Sequence, residues 1–466
     1  MLCHRVAADR ASPSTRVPER EPIQSRCRDR SPRRPASQAV LLRGRVRSPG
    51  RAVVNVHRIG VRERRLLEDP APAAMVLAPV APRADGATIE GGAILEAEVI
   101  HGLAGFLALE PEWRELQRRV ASGNPFSTWE WVCEWARSFW DGSVETVVVR
   151  SPAGLVAAAP FHRARPRWAQ LRARHQVLMG PRGLRSLMEL GTALVDPQAP
   201  PVAFQLILER ALEDDRLDWI ELCAQGDELD RWSQAIATSM YRSVIEEDTL
   251  VPVMPLAMDW PQLQARLRRN VKEAVRRSYN APRRDGLVLS YRECRRHDEG
   301  LDEILDAFFR LHRSRSLRPG NPYHRDHFST PSRRAFLDRV ARRMADTGAL
   351  TLSLVSWADQ PVAVRINFEV DGTVYLYYSG FDPAWWSYSV MTFGVTEAIK
   401  SAITRRQRAI SFSPGVDQSK ARWDVSYVRI VRFSVVRPVR ASRLRFAVVH
   451  TLRRAKHRAI RLVDRR

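Results

Sequence analysis

Paired cysteines are absent from this sequence. Its five (Cys3, Cys27, Cys133, Cys223 and Cys294) are scattered over 466 residues, and none stands in a Cys-x-x-Cys spacing. That argues against a disulfide framework and against a zinc site built on thiolates. Long apolar runs are absent too: none reaches the roughly 18–20 residues of a membrane span, and the first residues lack the apolar core of a secretory signal. The histidines show no ligand spacing with neighbouring carboxylates or cysteines, so no metal is expected. A cytoplasmic location follows as the expectation, with peripheral membrane contact left open by the basic ends.

Acidic residues are in short supply, 52 against 75 Lys and Arg, for a formal net charge of +23. The imbalance is uneven. Residues 1–74 carry about +10 and residues 441–466 about +8, which leaves about +5 for everything between. The body is therefore only mildly basic, and weak contact with anionic lipid or nucleic acid would belong to the termini. Residues 1–88 are rich in Arg, Pro and Ser and too poor in aromatics to close a core, so they read as a disordered basic extension and linker. The other readings are a nucleic-acid or membrane arm, or sequence ahead of a start at Met75.

What is present is an α/β pattern. Residues 350–355, 362–370 and 373–379 read as three strands, the last two joined by the hairpin signal Asp371-Gly372. Tyr375 and Tyr377 are expected on one face of the third strand and Tyr378 on the other. Gly380-Phe381-Asp382-Pro383 breaks the sheet, and a helix over 388–404 leads to a strand ending in Ser413-Pro414-Gly415-Val416-Asp417-Gln418-Ser419-Lys420. A strand over 189–195, a helix over 202–213 and a strand over 217–223 repeat that order, which predicts two copies of one αβ unit. Between them, residues 260–284 read as one helix with an apolar stripe (Leu263, Leu267, Val271, Val275) and an arginine-rich remainder. Residues 442–463 read as a simple basic amphipathic terminal helix, whose apolar side (Leu444, Phe446, Val448, Val449, Ile460) could instead lie on anionic lipid. The expected domains are 89–250, 251–440 and the terminal helix 441–466.

Several pieces carry a resemblance when taken in order. They are Phe126-Ser127-Thr128-Trp129-Glu130-Trp131, Leu267-Arg268-Arg269-Asn270 with Arg276-Arg277, Leu311-His312 with Arg315, Tyr377-Tyr378-Ser379-Gly380-Phe381-Asp382-Pro383, and Ser413-Pro414-Gly415-Val416-Asp417 with Lys420 and Trp423. Together they resemble the CelD-like, exopolysaccharide-associated branch of the GNAT acyltransferases. The resemblance implies a tandem pair of GNAT-like folds, similar to the Fem-type transferases. It also implies acetyl-CoA or another acyl-CoA as co-substrate, and an amino or hydroxyl acceptor on a sugar or cell-envelope precursor. Two departures stand out. Ser389-Val390-Met391 replaces a small Ser-Pro-Gly type turn, and the glycine-rich loop that holds the CoA pyrophosphate in ordinary GNAT enzymes is missing. Glycine matters there because it lets phosphate approach the helix N-terminus closely.

Within that frame Asp417 or His312 is the expected base, and Lys420 holds a phosphate or the developing oxyanion. A strand tyrosine, Tyr378 among them, could protonate the departing thiolate, although most strand tyrosines simply pack. His312 and Arg315 share a helical face next to Tyr323, His324 and His327, and the arginine suits a carboxylate or phosphate. Arg365 on a central strand needs a partner, Gly415 a positive-φ turn, and Asp382 a role as cap. Ser389 and Trp423 complete the expected binding set. No placed Cys or Ser nucleophile suggests a covalent intermediate, so direct attack is expected. Two other classes stay open: an aminoacyl-tRNA-dependent Fem-like ligase, and a non-catalytic nucleic-acid or membrane binder.

Overall fold

The structure, a computed structural model, describes residues 88–90, 93–139, 144–164, 173–179, 187–318 and 324–463. Residues 1–87 of the extension expected over 1–88, and Tyr323, lie outside them. The strands are β1 Thr88–Glu90, β2 Ala93–His101, β3 Val144–Ser151, β4 Gly154–Ala164, β5 His175–Leu178, β6 Leu194–Val195, β7 Trp219–Gln225, β8 Arg242–Pro255, β9 Leu289–Cys294, β10 Leu350–Trp357, β11 Gln360–Val370, β12 Thr373–Phe381, β13 Ala409–Ser411 and β14 Ser426–Val436. The helices are α1 Gly102–Ala108, α2 Glu110–Val120, α3 Trp129–Phe139, α4 Val202–Ala211, α5 Asp227–Ala237, α6 Trp260–Arg266, α7 Arg269–Arg284, α8 Leu301–Ser316, α9 Pro331–Asp346, α10 Val390–Thr404, α11 Gln418–Ala421 and α12 Arg440–Val463.

The strands form one sheet in the order β1-β2-β3-β4-β5-β7-β14-β8-β13-β12-β11-β10-β9, with β6 beside β4. Read inward from either end, the two halves match. In each, three antiparallel strands (β2, β3, β4; β9, β10, β11) lead to a fourth (β5; β12) that pairs parallel with a fifth (β7; β13). In each, a helix (α4; α10) lies between fourth and fifth strands in the chain. The sixth strands are exchanged: β8 pairs with β13 of the second half and β14 with β7 of the first, while β8 and β14 pair with each other at the centre. The expected repeat is thus present. The repeat is corrected in one respect: the counterpart of β12 in the first half is β5, and the strand expected over 189–195 shrinks to Leu194–Val195.

Helices cover both faces. On one, α1–α3 from the first half meet α8 and α9 from the second over a single core holding Trp113, Trp129, Trp131, Phe308, Phe336, Tyr375 and Tyr377. On the other, α4 and α5 pack on the first half, and α6, α7 and α10 on the second. Alternation along β12 explains the split, since Val374 and Leu376 join the second core while Tyr375 and Tyr377 join the first.

Two sequence expectations are corrected here. The helix expected over 260–284 breaks at Leu267 and Arg268, whose ψ values of 142° and 153° are extended. All four stripe residues are nonetheless buried. The terminal helix does not present its whole apolar side outward: Phe446 and Val449 pack on Trp219 and Val436, Arg445 pairs with Asp218 and Arg453 with Glu221, and Leu444 and Val448 are left exposed. Among the described residues no helix is long and apolar enough to cross a membrane.

Candidate active site

The parallel pairing of β12 with β13 covers only Thr373↔Ala409, Val374↔Ile410 and Tyr375↔Ser411. Beyond Tyr375, β12 continues to Phe381 with no strand on that side among the described residues, because the chain leaves β13 after three residues. Ser413 (φ 61°) and Gly415 (φ 92°) turn it away, and the Gly415 N–H donates to the Leu250 carbonyl at 3.0 Å. Gly415 therefore occupies the left-handed conformation expected of it. The result is a splayed cleft with an unpaired stretch of strand along one wall.

A β-bulge shapes that wall. Arg365 stands opposite Ser379 and Asn367 opposite Leu376, so Tyr377 and Tyr378 together oppose Ile366. The extra residue turns Tyr378 onto the same side as Tyr375 and Tyr377, which corrects the alternation expected from sequence. Its ring packs on those of Tyr377 (4.4 Å between centroids), His327 (5.0 Å) and His312 (5.6 Å). Burial holds all three phenols well above their ordinary pKa.

Helix α8 crosses β12 at Gly380. A Cβ there would lie 2.3 Å from the His312 nitrogen, so only glycine permits the approach. The close contact delivers two side chains to one carbonyl. His312 Nδ1 donates to the Ser379 oxygen at 3.0 Å and accepts the His327 N–H at Nε2 (3.3 Å), so both ring nitrogens are occupied. Arg315 Nη1 donates to Ser379 Oγ at 2.8 Å and to its carbonyl at 3.3 Å, while Nη2 reaches the His324 ring at 2.8 Å. Burial lowers the pKa of all three histidines, to about 4 for His324 and His327, and they are neutral near pH 7.

The loop after β13 supplies the opposite wall. Asp417 caps the short α11, with Oδ1 accepting the N–H of Ser419 (2.8 Å) and of Lys420 (3.2 Å). Its side chain remains more than half exposed. Lys420 folds inward, Nζ donating to the Pro414 carbonyl at 2.8 Å and standing 4.0 Å from Asp417. Arg422 Nη2 donates to Thr392 Oγ1 at 2.9 Å, in the first turn of α10. Ser389, at the start of that helix, adopts φ 56° and its carbonyl accepts the N–H groups of Thr392 and Phe393. This serine thus takes a conformation that glycine would adopt without strain.

Arg365 donates from Nη1 to the Tyr377 carbonyl at 3.3 Å. No carboxylate partners it: among the described residues Arg315, Arg365 and Arg422 make no ion pair, and each keeps a buried Nε without a partner. Burial lowers the pKa of Arg315 and Arg365 to about 10, and lowers those of Arg422 and Lys420 as well. Four cations with one nearby exposed carboxylate, Asp417, define an anion-seeking cleft.

Two residues of this cleft, Arg422 and Glu189, are not marked out by the sequence. Glu189 arrives from the segment before β6 in the first half, and its Oε2 accepts the Tyr375 hydroxyl at 2.6 Å. Burial pushes its carboxyl up to about 7, against the hydrogen bond from Tyr375 and the charge of Lys420. The neighbouring Leu187 carbonyl accepts the Tyr377 hydroxyl at 2.5 Å, which fixes the segment against β12. Two expected residues lie elsewhere. Trp423 is buried against Phe412 in the core behind the cleft, and Asp382 caps the short turn Pro383–Tyr388 by accepting the Ala384 N–H at 3.0 Å. Among the described residues no group of His, Cys, Asp or Glu is arranged to hold a metal.

Comparison with known proteins supplies the fold's affinity. Residues 265–421, which include both walls built from the second half, match the acetyltransferase (GNAT) domain family. No curated protein sequence matches the chain. The crystal structure of FemX is similar at 10% identity and a TM-score of 0.50, covering 72% of this chain and 98% of that one. A tandem GNAT protein from the clavulanic acid biosynthesis pathway (10%, TM-score 0.40, 73% and 98%) and L-PGS from Bacillus licheniformis (10%, 0.42, 74% and 96%) are more distant in shape. The molecule is a tandem pair of GNAT-like α/β folds, and its second half carries the region that matches the GNAT acetyltransferase domain.

Proposed function

We propose that this chain transfers an acyl group, acetyl foremost, from acyl-CoA to an amino or hydroxyl group of a sugar, polysaccharide or cell-envelope precursor, as a member of the CelD-like branch. The observation that carries the donor side is the convergence of Arg315, Arg365, Lys420 and Arg422 on the splay between β12 and β13, three of them without an ion pair. Buried cations without counter-charge are costly, and a phosphate-bearing ligand offsets that cost. The match of residues 265–421 to the acetyltransferase domain supports the same reading.

In this reading the thioester lies along the unpaired stretch of β12, whose free N–H groups donate to the carbonyl oxygen as it gains charge. Attack is direct. The three described cysteines are buried, with burial raising each thiol, that of Cys223 to about 12, so none offers a ready thiolate. A second reading takes aminoacyl-tRNA as donor, and the exposed Arg268, Arg269, Arg276 and Arg277 at and along α7 favour it.

Thermal shift of the full chain with acetyl-CoA, longer acyl-CoAs and free CoA tests the proposal. Saturating acetyl-CoA, at about 100 times its Kd, adds about 2.7 kcal/mol of stability and raises Tm by several degrees. No shift with any of the thioesters, together with turnover that ribonuclease abolishes, would establish the second reading in its place.

A further inference from the structure

Glu189 belongs to the first half of the chain, yet its carboxylate lies in the cleft of the second, 186 residues in sequence from the Tyr375 hydroxyl it accepts at 2.6 Å. Tyr375 is the last residue of β12 that pairs with β13, so this contact marks the point where the strands part. Glu189 as a residue is half-buried. The groups that face it are the phenols of Tyr375, Tyr377 and Tyr378 from β12 and the ammonium of Lys420 from the far wall.

The other candidate bases are engaged. His312 uses Nδ1 as donor and Nε2 as acceptor within the protein, and Asp417 has Oδ1 on the cap of α11 and Oδ2 4.0 Å from the Lys420 ammonium. Glu189 has one oxygen on Tyr375, and among the described residues no donor reaches the other. We infer that Glu189 is the general base of the second-half cleft, supplied across the repeat by the first half. The inference rests on the acyl-transfer reading above. It assigns a reason for the tandem arrangement, because the second half alone lacks this carboxylate.

The acceptor nitrogen or oxygen attacks the thioester carbon, forming the new C–N or C–O bond while its proton passes to Glu189. The C–S bond then breaks and the electron pair leaves with sulfur. The proton held by Glu189 ends on the CoA thiolate, through water, and restores the carboxylate. A base of this kind works best with a pKa close to the working pH, and burial has raised the Glu189 carboxyl to about 7.

Glu189→Gln keeps the size and an acceptor for the Tyr375 hydroxyl, so the cleft should remain folded. The full chain and the variant are compared in acetyl-CoA binding by thermal shift, and in thiol release from acetyl-CoA with glucosamine as acceptor, between pH 5.5 and 9. The expected result is equal binding, a fall in thiol release of roughly 10²–10⁴-fold, and loss of the limb that in the wild type rises through pH 7. Tyr375→Phe removes the hydrogen bond that favours the carboxylate and should move that limb to higher pH with binding retained. Equal binding with an unchanged rate and pH profile in Glu189→Gln would overturn the assignment while leaving the acyl-transfer reading intact. Failure of the wild type itself to bind acetyl-CoA would remove that reading, and this assignment with it.

Discussion

Three guanidiniums facing one cleft with no ion pair among the described residues are an unusual expense of stability. Taking a charge from water costs several kcal/mol per ion unless a partner restores it. The same cleft shelters a carboxyl, Glu189, shifted in the direction burial dictates. This has a consequence for stability. Below about pH 4 the carboxyl is protonated in folded and unfolded chains alike. As pH rises, the unfolded carboxyl ionises first, near its ordinary value of about 4.3, and folded stability falls until pH passes about 7. Glu228, pushed up to about 8 by burial in the first half, contributes with the same sign, so the variant is needed to isolate the effect. Glu189→Gln should gain on the wild type by roughly 2–3 kcal/mol between pH 4.5 and 7.5, measured by urea unfolding at each pH. A constant difference across that range would contradict the burial argument.

At the level of elements, the cleft depends on helix α8 sitting directly on β12 at Gly380. Gly380→Ala would place its Cβ 2.3 Å from the His312 nitrogen and 2.6 Å from the Leu311 carbonyl carbon. Backbone cannot yield as a flexible side chain can, so a loss of about 1–3 kcal/mol or more is expected in chemical unfolding. Gly394→Ala in α10 meets only Val355 Cγ2, at 3.2 Å, and should change stability far less, helped by alanine's better helix propensity. Much of this level is legible in the sequence. Asp371-Gly372 reads as a tight hairpin and takes positive φ at both residues (47° and 71°). His312 and Arg315, three apart on a helix, do converge on one atom. The bulge is not legible, since Tyr377-Tyr378 alternates as well with an insertion as without one. Nor is the short β6: Glu189-Leu190-Gly191-Thr192-Ala193 has the composition of a strand, but pairing is confined to the two residues opposite Ala157 and Ala158.

For the whole molecule the exchanged strands β8 and β14 matter most. Each half borrows its sixth strand from the other, so the sheet runs unbroken through the chain. Order along the sequence revealed the repeat but not the exchange, because no local pattern states which distant strand a strand will choose. The same limit hid Glu189, whose significance lies in a contact between halves. Charge was legible in total and misleading in place. The large positive excess sits at the ends, part of it held by Asp218 and Glu221 under α12, while the cations of the cleft are four residues in the mildly basic body. The central claim is that those four hold an anionic acyl donor. Calorimetric titration of the full chain with acetyl-CoA tests it most directly, alongside Arg365→Gln and Arg422→Gln. The expected result is saturable binding of one acetyl-CoA per chain, weakened roughly 10–100-fold by either substitution, since a charge-assisted hydrogen bond contributes about 1.5–3 kcal/mol. No heat of binding in the wild type, or affinity unchanged in both variants, would contradict it.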